Sequence, residues 1–201
     1  MPKHLVLALT GASGSIYGLK LAEELLRGGS RLTLLTSHAG AGVLLEETGI
    51  DWRGDEAAVN AAILNHFRVG PDQLVHYDER NLWAPVASGS SAPDAMVVAP
   101  CSMGTLSRIA WGNSANLIER CADVMLKEGR PLALVPRETP LSAIHLENML
   151  KLARLGVRIV PAMPAFYQKP ASIDDLACFV AGKVLDALGI EHSLFTRWGD
   201  R

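Results

Sequence analysis

The stretch Leu5-Val6-Leu7-Ala8-Leu9-Thr10-Gly11-Ala12-Ser13-Gly14 joins five consecutive apolar residues to a short run of small and polar ones. An uninterrupted apolar run of this length is typical of a strand buried on both faces of a sheet. The apolar residues that follow, over 16–28, have helical spacing and end at Gly28-Gly29. A buried strand, a tight turn and a helix in that order predict the start of a parallel sheet whose strands are joined by helices.

The same alternation continues along the rest of the chain. Strands are predicted at 32–36, 74–77, 95–99, 132–135 and 157–160, and helices at 38–48, 55–68, 102–110, 116–128, 141–155 and 173–188. The predicted fold class is α/β, a three-layer, Rossmann-like domain with a parallel sheet of about six strands. No repeat and no change of composition marks a linker. We therefore expect residues 1–201 to form a single domain, with a C-terminal tail at about 189–201.

The composition excludes several classes of protein. The chain is 49% hydrophobic and 20% charged, which is too apolar for a disordered protein. A net charge of −2 argues against a nucleic-acid binder or a protein that binds anionic membranes. No apolar run approaches the roughly 20 residues that cross a bilayer, and the short N-terminal run is not a secretory signal. Three cysteines imply no disulfide framework, so we expect a soluble cytoplasmic protein.

Small, polar and proline residues concentrate where the predicted strands end. Five such segments follow strands, at 10–15, 36–38, 100–105, 136–140 and 166–169. Among the 18 glycines and 11 prolines, those predicted to outline this edge are Gly11, Gly14, Gly89, Pro100, Gly104, Pro136, Pro140 and Pro161. Ligands of open parallel sheets bind beyond the carboxyl ends of the strands. Helix N-termini at that edge predict a phosphorylated ligand.

The first of these loops does not match the common nucleotide-binding motifs. Residues 10–15 lack the Gly-x-Gly-x-x-Gly spacing of dinucleotide sites, and the chain lacks a Gly-Lys-Ser/Thr phosphate loop. A plain strand-to-helix turn capped by Ser13 or Ser15 explains this loop equally well. The segment 87–93 is either an anion-binding nest or a flexible surface loop.

Isolated ionisable residues leave more than one interpretation open. Glu47, Arg120 and Lys127, each taken singly, fit solvated surface charges. The pair Arg137-Glu138 differs, because it directly follows a strand, where a charged pair is rarely only structural. The six histidines form no close ligand pair, so no metal site is predicted, and Cys101 fits a small buried apolar residue better than a nucleophile.

Six short motifs have a recognisable order and spacing. They are Thr-Gly-Ala-Ser-Gly at 10–14, Ser-Gly-Ser at 88–90, Met-Val-Val-Ala-Pro-Cys-Ser at 96–102, Asn-Leu-Ile-Glu-Arg-Cys-Ala-Asp-Val at 116–124, Leu-Val-Pro-Arg-Glu-Thr-Pro at 134–140 and Ile-His-Leu-Glu-Asn-Met at 144–149. Together they resemble the flavin prenyltransferase family of the UbiX type, and Arg197-Trp198-Gly199 resembles its C-terminal segment. The wider superfamily includes flavin-dependent cysteine decarboxylases.

The resemblance implies an enzyme that transfers a prenyl group to a flavin. The dimethylallyl group of dimethylallyl phosphate would be joined to N5 and C6 of reduced FMN, without a metal. The product, prenylated FMN, would serve a UbiD-type decarboxylase, as in ubiquinone biosynthesis. The family forms homo-oligomers, dodecamers built from trimers, with sites at subunit interfaces. The alternatives are an FMN-dependent decarboxylase of the same superfamily, for which His38 is poorly placed, and a non-catalytic flavin-binding partner of a decarboxylase.

The resemblance also assigns roles to individual residues. The flavin contacts it implies are Gly11, Ala12, Ser13, Ser37, Ser102, Met103, Gly104, Thr105 and Arg137. The prenyl phosphate contacts, some from a neighbouring subunit, are Ser88, Gly89, Ser90, Arg120, Lys127, Tyr167 and Lys183. The residues expected to manage protons, and hence to be catalytic, are Ser13, Glu47 and Glu138.

Two positions depart from the family pattern. Lys183 stands where the family commonly has Arg, so the charge is kept but the bidentate fork of a guanidinium is lost. Trp83, expected to cover the flavin, is shifted by one residue from the aromatic position that precedes Ala-Ser-Gly-Ser. Because Lys183 lacks the guanidinium fork, we expect weaker phosphate binding or a different prenyl donor.

Overall fold

The computed structural model describes residues 3–197, so Trp198 and Gly199 of the C-terminal motif lie outside the described residues. Its strands are β1 (His4–Leu9), β2 (Arg31–Thr36), β3 (Leu74–Asp78), β4 (Ala95–Cys101), β5 (Leu132–Pro136) and β6 (Arg158–Ile159). Its α-helices are α1 (Ser15–Arg27), α2 (His38–Thr48), α3 (Glu56–Phe67), α4 (Met103–Ala110), α5 (Leu117–Lys127), α6 (Ala143–Arg154) and α7 (Ile173–Ala187).

The strands form one parallel sheet in the order β3-β2-β1-β4-β5-β6. This arrangement confirms the predicted α/β fold with six strands. The order reverses between β1 and β4, so the loops after these two strands flank the crevice where ligands of such sheets bind.

The first strand is apolar on both faces because each face is covered by helices. Leu5, Leu7 and Leu9 belong to a core that includes residues of α1, α3 and α7. Val6 and Ala8 belong to a second core, formed with residues of α4, α5 and α6. All five side chains are at most 1% exposed, as the uninterrupted apolar run predicted.

The structure differs from the predicted elements at two strands. β4 does not stop at Pro100 but continues to Cys101, past an irregularity in its pairing with β5. A proline is tolerated there because a bulge leaves its missing N–H without consequence. β6 has only two residues, because the edge strand pairs with β5 at Arg158 and Ile159 alone. Between β3 and β4, the chain includes two short 3₁₀ turns, Pro85–Ala87 and Gly89–Ser91. Over residues 3–197, no helix has both the length and the apolar character needed to span a membrane.

Candidate functional site

Helix α2 lies across the carboxyl end of β1. At its start, the Ser37 N–H donates to the Leu9 carbonyl at 3.0 Å, and the Ser37 hydroxyl caps the helix by accepting from the Gly40 N–H at 3.0 Å. At its last turn, Glu47 accepts from the Gly14 N–H at 2.9 Å. The start of the helix therefore contacts the end of β1 and its last turn contacts the first loop, which places Ser37 and Glu47 at the predicted ligand edge.

Gly40 permits this close approach, and a neighbouring glycine provides a matched control. A Cβ on Gly40 would lie 2.6 Å from the Leu9 carbonyl oxygen, whereas a Cβ on Gly42 would meet nothing within 4 Å. We expect Gly40→Ala to lower the free energy of unfolding by about 1–3 kcal/mol through overpacking. Gly42→Ala is expected to raise it by up to about 1 kcal/mol through helix propensity. Urea titration of both variants tests this, and a shift of the same sign in both would refute the proposed contact.

Thr10 connects the loops that follow β1 and β4. Its hydroxyl donates to the Pro100 carbonyl at 2.9 Å and accepts from the Ser102 N–H at 2.8 Å, and the residue is 1% exposed. The position of the first loop is thereby fixed relative to the start of α4. No role was predicted for Thr10 itself, although it opens the first motif.

The N-terminus of α4 has the features of an anion-binding site. The Ser102 hydroxyl caps the helix by accepting from the Thr105 N–H at 3.3 Å. The N–H groups of a first helical turn have no partner within the helix, and Gly104 here is exposed. Arg108, one turn on, donates from Nη2 to Thr105 Oγ1 at 3.3 Å, which places a guanidinium, itself paired with Glu119, beside this turn. Exposed N–H donors beside a cation suit the phosphate of FMN.

Sequence reasoning missed Arg108 and the carboxylate that holds it. Arg108 pairs with Glu119, which is 1% exposed. Glu119 also accepts from the Ala115 N–H at 2.9 Å and from the Asn116 amide at 3.1 Å. The only signal in the sequence was the position of Glu119 inside the motif at 116–124.

A carboxylate occupies the N-terminus of α1. The N-cap residue, Gly14, has left-handed geometry at φ 109° and offers no side chain to cap the helix. Glu47 replaces that cap, accepting from Gly14 N–H at 2.9 Å and from Ser15 N–H at 2.8 Å. Burial alone would raise the pKa of Glu47, but the Ser13 hydroxyl and the two N–H groups outweigh it and lower the pKa. With this terminus taken, the start of α4 is the better phosphate site.

The lowered pKa of Glu47 predicts a pH-dependent stability. A carboxyl whose pKa is lowered by folding contributes stability above its ordinary pKa of about 4.3 and loses it as pH falls through the folded value. We expect Glu47→Gln to lower the free energy of unfolding by about 1 kcal/mol at pH 7, as loss of a helix cap does. The difference between variant and wild type should close below about pH 4. Urea titrations across pH 3–7 measure it, and a gap that stays constant would contradict the capping role.

Arg137 and Glu138 follow β5 at the same edge. Arg137 reaches past β4 and donates from Nε to the Ser13 carbonyl at 3.1 Å, so it contacts the first loop directly. Glu138 is exposed, and its Oε1 accepts from the Thr139 N–H at 3.0 Å. Both line a cleft of about 70 Å³ whose walls include Met149. The structure thus brings the predicted flavin residues, Arg137 and Glu138 to one edge.

The predicted anion-binding nest at 88–90 does not lie at this carboxyl edge but beside the end of α5. The hydroxyls of Ser88 and Ser90 are 2.9 Å apart, and a Cβ on Gly89 would lie 2.6 Å from Lys127 Nζ. Lys127 is the last residue of α5, a helix that runs back from the carboxyl edge towards the start of β4. The expectation that Gly89 outlines the strand-end edge is therefore wrong, because the chain from 79 to 94 returns along α5 before β4 begins.

The remaining predicted phosphate contacts lie on α5 and α7. Arg120 is in the first turn of α5, where Nη1 lies 3.6 Å from Asp123. The Tyr167 ring contacts Phe179 edge-on, with centroids 6.0 Å apart, and Lys183 stands one turn further along the same face of α7. Arg120 thus lies near the carboxyl edge, whereas Lys127, at the other end of α5, lies near the start of β5, and β5 spans roughly 16 Å between the two edges.

Trp83 does not cover the flavin edge within one chain. Its side chain is 96% exposed, in the loop after the edge strand β3. Between residues 3 and 197 we find no group of three or more His, Cys, Asp or Glu that could hold a metal ion.

Comparisons with known proteins agree with this geometry. A family model described as flavoprotein matches residues 1–187. Flavin prenyltransferase UbiX of Halalkalibacterium halodurans is 51% identical over 192 residues, which cover 96% of this chain and 91% of the relative. This chain belongs to the flavin prenyltransferase family. The UbiX enzyme of Pseudomonas aeruginosa is 47% identical over 200 residues, 100% of this chain and 96% of that one.

Two solved structures of UbiX-type proteins share the fold of this chain. A crystal structure of AnUbiX (PadA1) in complex with FMN and dimethylallyl pyrophosphate has a TM-score of 0.86 and 39% identity, over 99% of this chain and 98% of that one. A dodecameric FMN-dependent UbiX-like decarboxylase from Escherichia coli O157:H7 has a TM-score of 0.83 and 39% identity, over 97% and 98%. The family resemblance inferred from six motifs is confirmed.

Proposed function

We propose that this protein is a flavin prenyltransferase that joins the dimethylallyl group of dimethylallyl phosphate to reduced FMN. The observation that carries the proposal is the carboxyl edge of the sheet. There the open N-terminus of α4 offers a phosphate site, and Arg137 and Glu138 stand beside it. A matching family member crystallised with FMN and dimethylallyl pyrophosphate supports a flavin and a phosphorylated dimethylallyl donor as the two ligands.

Separate residues of the chain would bind the FMN phosphate, stabilise the departing phosphate and accept the proton. The first turn of α4, from Ser102 to Thr105, would bind the FMN phosphate, and Arg137 would contact the flavin. Reduced FMN supplies the nucleophilic N5 and C6 atoms. Breaking the allylic C–O bond leaves negative charge on the departing phosphate, which Lys127 and the hydroxyls of 88–90 would stabilise.

Proton transfer falls to the carboxylates at the edge. Glu138, exposed and held by one backbone N–H, would accept the proton lost from C6. Glu47 is fixed at the start of α1, so it would orient the Ser13 hydroxyl rather than move to the flavin. Ser13 is held from the other side through its carbonyl by Arg137.

The proposal requires more than one copy of the chain. Lys127, which contacts the loop at 88–90, lies at the end of α5 near the start of β5, whereas Glu138 follows the end of β5, so the two do not meet in a single chain. We propose a homo-oligomer, a dodecamer as in the UbiX-like protein of Escherichia coli, in which neighbouring chains complete the site.

We also propose a downstream partner, which would use the product, and a cellular location. Prenylated FMN would serve a UbiD-type decarboxylase. Cys101, Cys121 and Cys178 are free thiols, which suits the reducing cytoplasm proposed as the location.

Mass spectrometry of the extracted flavin tests the function. Purified protein, loaded with FMN, reduced anaerobically and supplied with dimethylallyl phosphate, is expected to yield a flavin heavier by one C5H8 unit. FMN that stays unmodified after many equivalents of donor would overturn the transferase assignment. Loss of CO2 from a peptidyl or pantothenoyl cysteine under the same conditions would favour the decarboxylase alternative instead.

A further inference from the structure

A carboxylate near the end of α7 holds the C-terminal segment, defined as residues 190–197, against the helix. Asp186 Oδ1 accepts from Arg197 Nη2 at 2.9 Å and from His192 Nε2 at 3.2 Å. The His192 side chain is 1% exposed, so this contact is made inside the protein. Burial would raise the pKa of Asp186, but the hydrogen bonds from Arg197 and His192 lower it, which favours the charged acceptor.

The C-terminal segment docks on α7 without a gap. A Cβ on Gly182 would lie 2.4 Å from Phe195 Cε1 and 2.7 Å from His192 Cε1, so both rings pack directly on the helix backbone. The Phe195 ring in turn stacks against Phe179 at 5.1 Å between centroids. Asp186 therefore secures a segment whose aromatic residues cover one face of α7.

That same face carries two of the predicted phosphate contacts. Lys183 Nζ lies 3.5 Å from Asp186 Oδ2, and the Tyr167 ring packs edge-on against Phe179. The turn that presents Tyr167 is bonded to the segment, because the Gln168 amide donates to the Thr196 carbonyl at 2.7 Å. The turn ends at Lys169 with φ 54°, a left-handed geometry that a non-glycine residue adopts at a cost. Its surroundings must therefore hold it.

We propose that Asp186 is a positioning residue for the prenyl phosphate: through His192 and Arg197 it holds the C-terminal segment, and with it Tyr167 and Lys183, in the binding arrangement. The inference rests on the function proposed above, and Asp186 itself touches neither flavin nor phosphate. It acts by fixing a helix face that a flexible segment would leave loose. The expected consequence is a change in affinity for the prenyl donor, with little change in flavin binding or in the rate at saturation.

The test compares Asp186→Asn with Glu191→Gln in the full-length, FMN-loaded protein. Glu191 is an exposed carboxylate of the same segment and serves as the matched control. For Asp186→Asn we expect a KM for dimethylallyl phosphate raised about tenfold, with kcat and the Kd for FMN within about twofold of wild type. Hydrogen exchange should be faster at 190–197 and 166–169. Glu191→Gln should match wild type in every measurement, and Asp186→Glu should recover part of the lost affinity.

Two outcomes for Asp186→Asn would overturn the proposed role of Asp186. An unchanged KM overturns the inference, whether or not the segment exchanges faster. Equal losses of kcat, FMN binding and thermal stability would show a merely structural residue and overturn it as well. If Asp186→Asn does not fold, Arg197→Met replaces it, because that side chain is 57% exposed and can be removed without opening the core. A wild type that does not prenylate FMN refutes the proposed function, whereas an active wild type with an unmoved variant refutes only the role of Asp186.

Discussion

Replacing Glu138 with glutamine is expected to slow FMN prenylation by about 10²–10⁴-fold, the range in which positioned general bases act. An amide of the same shape cannot accept the proton lost from C6. Flavin binding should survive, because the contact with the flavin is assigned to Arg137, whose guanidinium is held by the Ser13 carbonyl. Single-turnover measurement of flavin prenylation gives the rate, and flavin fluorescence gives the Kd for FMN.

Glu147→Gln is the matched control for Glu138→Gln. It removes the same charge from an exposed position on α6 and is expected to leave both rate and Kd within about twofold of wild type. Loss of FMN from Glu138→Gln would show that Glu138 supports Arg137 instead of moving a proton. An unchanged rate would leave the released phosphate as the base.

The sheet could be predicted because its signals are local. The apolar run at 5–9 is buried on both faces, and the helix ends at Arg27 and Thr48 fall beside glycines. The length of β6 was overestimated, because the pairing of an edge strand depends on its neighbour. The apolar residues of the strand itself do not indicate how far that pairing extends. The extension of β4 through Pro100 likewise depends on β5 and on hydrogen bonds from Thr10.

The site was predictable only in part, since its contacts join residues far apart in the chain. Loops after β1, β4 and β5 could be placed at one edge by topology alone. That Glu47 caps α1, 32 residues away, follows from the path of α2 and not from any spacing in the sequence. The pair of Arg108 with the buried Glu119 was missed for the same reason, because each residue taken alone resembles a surface charge.

Replacing Lys127 with methionine is expected to lower kcat/KM for dimethylallyl phosphate by about 10²–10³-fold, as the loss of a charge that stabilises a developing anion does. Lys127, which is ion-paired with Glu128, stands beside the turn at 88–90, since a Cβ on Gly89 would lie 2.6 Å from its Nζ. Lys151→Met removes an equal charge from α6 and should have no such effect. Steady-state rates with varied donor give the comparison, and equal effects of both variants would contradict a specific role for Lys127.

Mixed oligomers of Lys127→Met chains and Glu138→Gln chains test whether the site is shared between chains. Within one chain Lys127 and Glu138 lie at opposite ends of the sheet, so a working site must take one from each of two neighbours. Oligomers assembled from equal amounts of the two inactive variants then contain some sites with both residues intact. Random assembly gives a wild-type residue at each position half the time, and about a quarter of the activity should return. If both residues acted within one chain, every site would lack one of them and mixing would restore nothing.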